Sequence, residues 1–229
     1  MTESRSVDID VGQAHRVSGL WLAPEHSRAV YVFAHGAGAG MRHAFMEAAA
    51  QGLAERGIAT LRYQFPYMER GSRRPDAPPL AQATVRAAVA VAVQQAPTLP
   101  LFAGGKSFGG RMTSQAQAVA PMPGVRGLVF LGFPLHPAGE PSDDRAAHLS
   151  GVQVPMLFLQ GTRDELADFS LLQPLVARLG GHAMLHALAD ADHSFHVPAR
   201  SGRKDPQVLA EALDMFAAWI AQPPPRRDA

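Results

Sequence analysis

Leu101-Phe102-Ala103-Gly104-Gly105-Lys106-Ser107-Phe108-Gly109-Gly110 is the stretch from which the fold can be read. The apolar run that opens it predicts a buried strand. Gly105-Lys106-Ser107-Phe108-Gly109 follows at once as a Gly-x-Ser-x-Gly turn. A strand that ends in this turn and opens a helix lifts the central serine hydroxyl above the sheet, because small flanking residues let strand and helix pass closely. Gly104 and Gly110 widen that allowance. Ser107 therefore reads as an attacking nucleophile.

Outward from this turn, strands and helices alternate along almost the whole chain. Residues 17–22, 29–34, 58–63, 101–105, 125–131, 154–160 and 183–188 carry the short apolar runs expected of strands. Helical patterns cover residues 43–55, 80–95, 112–119, 169–179 and 206–221. In the last of these Leu209, Leu213, Phe216 and Ile220 form one stripe. Repeated strand–helix units predict a mainly parallel twisted sheet with helices on both faces. Two loops stand out, residues 66–79 and 134–151. Each follows a strand and so belongs on the edge where α/β sheets bind ligands. Only about twenty residues separate Leu131 from Val154, too few for a folded cap beside a short helix near residues 144–149. The sequence thus predicts one α/β domain over residues 1–229, with no cap domain and a flexible tail over 222–229.

Composition narrows the function. The formal net charge is +1 and no basic stripe is visible, so nucleic acid is not an expected partner. There is no cysteine, hence no disulfide framework and no thiolate metal site. The N-terminus lacks the apolar core of a signal peptide, and no apolar stretch approaches the ~18 residues of a membrane span. A cytoplasmic protein without membrane partners is expected, its oligomeric state left open. Two nucleotide-binding motifs fail on a required residue. A phosphate-binding loop ending at Gly105-Lys106-Ser107 needs glycine at Pro100, and a dinucleotide fingerprint starting at Gly36 needs glycine at Met41.

Acyl transfer by a serine needs a base, an acid to orient it, and two N–H donors for the oxyanion. Hydrolases built on this turn supply serine, carboxylate and histidine in that chain order. The strand over 154–160 runs into Gly161-Thr162-Arg163-Asp164, and the last strand into Asp190-Ala191-Asp192-His193. Upstream, residues 29–34 run into His35-Gly36-Ala37-Gly38-Ala39-Gly40, where an oxyanion loop belongs. All four segments fall at the C-terminal ends of expected parallel strands. Ser107, Asp164 and His193 are accordingly the expected catalytic residues, with the N–H groups of Phe108 and Ala37 as the oxyanion hole. No metal or organic cofactor is called for. Tyr67, Met68, Phe133, Leu135 and Phe195 are candidates for a substrate pocket walled by the two long loops.

These motifs, together with Phe65-Pro66-Tyr67-Met68-Glu69-Arg70-Gly71, Leu131-Gly132-Phe133-Pro134-Leu135-His136 and Asp192-His193-Ser194-Phe195, resemble a bacterial group of small, lidless α/β-hydrolases. That group is related to animal testis-expressed hydrolase-like proteins, with dienelactone hydrolases as more distant cousins. The resemblance spans roughly residues 17–221. It implies the α/β-hydrolase fold and places the triad on Ser107, Asp164 and His193. It supplies no substrate.

Plainer readings compete at each position. Ser107 could be a turn serine. Asp164 could cap the helix that follows, with Glu165 or Asp168 in the catalytic place. His196 lies close to His193, and spacing alone does not separate them. Lys106 could favour an anionic substrate or pair with a local carboxylate such as Glu69. The expected activity is hydrolysis of a small or medium acyl ester, thioester or lactone through an acyl-enzyme. The alternative is a non-catalytic binding or scaffold protein of the same fold.

Overall fold

A computed structural model describes residues 3–223. The expected tail falls mostly outside them. Sixteen short elements build an eight-stranded sheet with helices on both faces. The strands are β1 (Arg5–Val11), β2 (His15–Leu22), β3 (Ala29–Ala34), β4 (Ile58–Tyr63), β5 (Leu101–Lys106), β6 (Val125–Leu131), β7 (Met156–Gly161) and β8 (Ala183–Leu188). Their order across the sheet is β1-β2-β4-β3-β5-β6-β7-β8. The pairs β1–β2 and β2–β4 are antiparallel, and every later pair is parallel.

The six residues of β3, of β4 and of β7 are all buried, as a sheet covered on both sides requires. Two hydrophobic clusters occupy its two faces. Helices α1 (Ala44–Glu55) and α6 (Asp205–Ala221) cover one face, packing Met46, Leu53, Leu213 and Phe216 on Tyr31, Val129 and Leu157. Helices α3 (Pro78–Gln95), α4 (Phe108–Val119) and α5 (Phe169–Leu179) cover the other. Alternation along β6 sends Phe130 to the second cluster and its neighbours Val129 and Leu131 to the first.

Three elements lie outside the sequence expectation, one of them the 3-10 turn Ala199–Ser201 before α6. Strand β1 forms a hairpin with β2, and the loop expected over 66–79 opens with a single helical turn, α2 (Pro66–Glu69). The segment after β6 holds a 3-10 turn, Asp144–Gly151, and no separate cap domain. No helix among the described residues is long and apolar enough to cross a membrane.

Candidate active site

Strand β5 ends at Lys106, and α4 starts at Phe108, so Ser107 alone makes the turn between them. Its backbone sits at φ 51°, ψ −118°, a positive φ that side-chain-bearing residues rarely adopt. Ser107 stands at the N-cap position of α4 yet makes no capping hydrogen bond. Its hydroxyl has no hydrogen-bond partner among the described residues. A turn serine would spend its hydroxyl on the backbone. This one is left facing a cleft of about 420 Å³, lined by Ser107, His193, Ala37, Phe45, Met46 and Leu166 among others.

His193 enters the cleft from the loop after β8. Its Nδ1 lies 2.7 Å from Asp164 Oδ2, and the carboxylate accepts, so Nδ1 carries the proton and Nε2 keeps its lone pair. Asp164, in the loop after β7, has a fully buried side chain and accepts three hydrogen bonds. Besides His193, the donors are Gln160 Nε2 at 2.5 Å and the Leu166 N–H at 2.8 Å. Gln160 is itself buried, and its Oε1 accepts the Phe133 N–H. One amide thus fixes both the carboxylate and the chain leaving β6. Burial lowers the His193 pKa below the usual imidazole value, with the Asp164 hydrogen bond opposing and the nearby Lys106 ammonium adding to the fall.

The geometry bears on the plainer readings at two positions. The cap of α5 is Asp168, whose side chain accepts from Ser170 N, so Asp164 is not engaged there. His196 pairs with Asp205 on the surface, its side chain 63% exposed, while the His193 side chain is 21% exposed.

The loop after β3 lies against the turn. A Cβ built on Gly36 would be 3.7 Å from Ser107 Cβ. In this loop the Gly38 N–H donates to Tyr67 Oη, Ala39 N–H to Gly36 O, and Met41 N–H to Gln64 Oε1. The Ala37 N–H makes no hydrogen bond among the described residues. Phe108 opens α4, so its N–H has no acceptor within the helix. His35 is buried below the loop. Its Nδ1 donates to Gly36 O, its Nε2 accepts from Phe65 N–H, and burial pushes it down to about 4. It is neutral at physiological pH and shapes the loop.

The expected pocket is corrected by the structure. Tyr67, Phe133, Leu135 and Phe195 are buried in the core, and Met68 packs against it. None of the five lines the cleft beside Ser107. The loops over 66–79 and 134–151 do not wall it either. That place belongs to the segment from Gly36 to Met46, to Leu166 and to Ser194. Residues that follow strand ends had been expected to face the ligand, but the large rings among them supply the packing beneath it. Lys106 is also placed otherwise than expected. Glu69 accepts from Ser18 N, while Lys106 Nζ donates to the His193 carbonyl.

Comparison with known proteins agrees with this architecture. A family model described as an alpha/beta hydrolase domain matches residues 27–221, and the chain belongs to that family. Among solved structures, it is similar to a dienelactone hydrolase from Anabaena variabilis at 19% identity. That match has a TM-score of 0.76 and covers 97% of this chain and 99% of the other. It is also similar to a serine hydrolase without lid from Xanthomonas campestris, at 23% identity and a TM-score of 0.70, covering 94% and 96%. The esterase domain of a Rhodothermus marinus protein matches at 16% identity and a TM-score of 0.70, covering 95% and 97%.

Proposed function

We propose that the protein is a serine hydrolase acting on small or medium acyl esters, with thioesters and lactones within reach of the same chemistry. The observation that carries this reading is an unpartnered Ser107 hydroxyl on a strained turn, sharing a cleft with an imidazole that a buried carboxylate orients. His193 Nε2 takes the Ser107 proton as Oγ bonds to the acyl carbon. The N–H groups of Ala37 and Phe108 receive the oxyanion. The tetrahedral adduct collapses with cleavage of the bond to the leaving oxygen, which takes the proton from His193. Water, deprotonated by His193, then attacks the acyl-enzyme, the Oγ–acyl bond breaks, and Ser107 regains its proton. Asp164 holds the imidazole throughout and stabilises its charged form. The cleft, of about 420 Å³, has no cap domain over it, which favours compact acyl groups over long buried chains.

Labelling with a fluorophosphonate probe at pH 8 tests the reading. Wild-type protein is expected to label at Ser107, and Ser107→Ala protein is not. Folded wild-type protein that stays unlabelled would leave the fold serving as a binding or scaffold module.

The depressed His193 pKa sets a pH dependence. The base works only when neutral, and its neutral form persists below the usual imidazole value near 6.5. The acid limb of kcat/KM for ester hydrolysis is expected to have its midpoint below that usual value. An acid-limb midpoint at or above that value would contradict that environment.

A further inference from the structure

Lys106 precedes the nucleophile, and nothing in the reaction described above uses it. Its backbone is fixed as the last residue of β5, opposite Leu131 of β6. Its side chain crosses the C-terminal edge of the sheet. The ammonium ends 5.7 Å from the centre of the Phe45 ring and 5.5 Å from that of Phe195, and donates to the His193 carbonyl. It forms no ion pair among the described residues. Gly132 makes the room: a Cβ there would sit 2.8 Å from Nζ, and 3.5 Å from His193 Cε1.

The loop that receives this contact is strained. Asp190 and Phe195 both have positive φ, at 60° and 66°, and such conformations persist only where the surroundings impose them. Asp192 supplies part of the restraint by accepting the N–H groups of Ser194 and His196. The Lys106 ammonium supplies the tie between this loop and the nucleophile's own strand.

We propose that Lys106 is a positioning residue that couples the two reacting groups, fixing the His193 backbone to the strand end that carries Ser107. The proposal rests on the serine-hydrolase reading for its kinetic consequences, though not for its structural ones. The aromatic rings and the carbonyl favour a cation at this point. The charged groups that act on Lys106 are Asp164 and Asp192, and the titratable residues sharing its cleft are His193 and His43. Burial outweighs the two carboxylates and pushes the ammonium down to about 8. Below that pH its charge also disfavours protonation of His193. Above it the ammonium becomes an amine, and the tie weakens.

Lys106→Met and Lys106→Arg separate position from charge. The readouts are the pH profile of kcat/KM for p-nitrophenyl acetate and the titration of the His193 ring by NMR, assigned with a His193→Gln protein. Lys106→Met is expected to lose about 10- to 100-fold in kcat/KM, the scale of a small misplacement of reacting groups. Its His193 ring is expected to titrate at higher pH than in wild type. Wild-type kcat/KM is expected to decline as the ammonium titrates near pH 8, and Lys106→Met to show no such decline. Lys106→Arg, charged throughout, is expected to recover part of the rate, keep the low His193 titration and show no decline near pH 8.

A Lys106→Met protein with wild-type kcat/KM and an unmoved His193 titration overturns the proposal. So does an equal loss in both variants without any movement of the titration, which would mark Lys106 as packing only. If Lys106→Met fails to fold, Lys106→Arg decides: a decline near pH 8 retained in that protein counts against the ammonium. If wild-type protein fails to label at Ser107, the hydrolase reading falls, while the His193 titration still decides whether the Lys106 charge governs that ring.

Discussion

Ser107→Ala and His193→Ala are each expected to lower kcat for p-nitrophenyl acetate by about 10³-fold or more, and the double substitution to lose little beyond either one. The non-additivity follows from the geometry. The Ser107 hydroxyl has no other partner, so without the imidazole it stays a weak, neutral nucleophile. The imidazole, held at Nδ1 by Asp164, has Nε2 as its one remaining basic atom in the cleft. Removing either group removes the same proton transfer. Asp164→Asn can keep an acceptor oxygen for the Leu166 N–H, but its NH2 then takes the place of Oδ2, which Gln160 and His193 share, and selects the wrong imidazole tautomer. A loss of about 10⁴-fold is the scale of that error. His196→Ala is the matching control. Its partner Asp205 is exposed, and such surface pairs contribute little, so its rate stays within about twofold of wild type. Steady-state rates with thermal melts on the same proteins make the check. A His193→Ala protein at wild-type rate, with His196→Ala impaired, moves the base to His196.

The chain carries different parts of this site with very different clarity. Strands β3, β4 and β6 are legible to the residue: β3 is an unbroken apolar run, and β4 and β6 stay largely apolar around Thr60 and Arg62 and around Arg126. Strand β1 is a different case. Its Val7, Ile9 and Val11 alternate with Ser6, Asp8 and Asp10, the period-two pattern of a half-buried edge, but the run is short and mostly exposed. The single turn α2 is too short for any helical period to register. Within the candidate site, Ser107 is legible because it directly ends β5, and Asp164 and His193 because they lie in the loops just after β7 and β8. Gln160 carries a signal of its own in the sequence. An amide closing Met156-Leu157-Phe158-Leu159 has to satisfy its polar atoms in the core, and Asp164 is where it does so. The cleft lining had none. Phe45 and Met46 sit in the first turn of α1, where helical periodicity assigns them to the core. Lys106 reaches His193 across 87 positions, a contact that no local pattern encodes.

Gly104→Ala is expected to abolish soluble folded protein. Gly104 holds φ at +155° in the middle of β5, and a Cβ there would lie 1.8 Å from the carbonyl oxygen of Val129 on the neighbouring strand. That oxygen also accepts the hydrogen bond from the buried Tyr31 hydroxyl, at 2.8 Å, and the added carbon would approach Tyr31 Oη equally closely. Neither neighbour can give way. Val129 is fixed in the parallel ladder opposite Gly104, and Tyr31 is wedged edge-on against Phe216. The sheet must part, or Tyr31 must leave a buried polar atom unsatisfied at about 1–3 kcal/mol in addition to the clash with the Val129 backbone. Set against the ~5–15 kcal/mol that holds a typical domain together, such a loss takes most of the margin. Gly181→Ala tests whether glycine replacement as such is harmful. Its Cβ meets nothing within 4 Å, and its φ is not positive, so its stability should stay within about 1 kcal/mol of wild type. Soluble yield and urea unfolding of the two variants give the comparison. A Gly104→Ala protein that folds with wild-type stability and still labels at Ser107 would mean that β5 and β6 do not approach as closely as the turn requires.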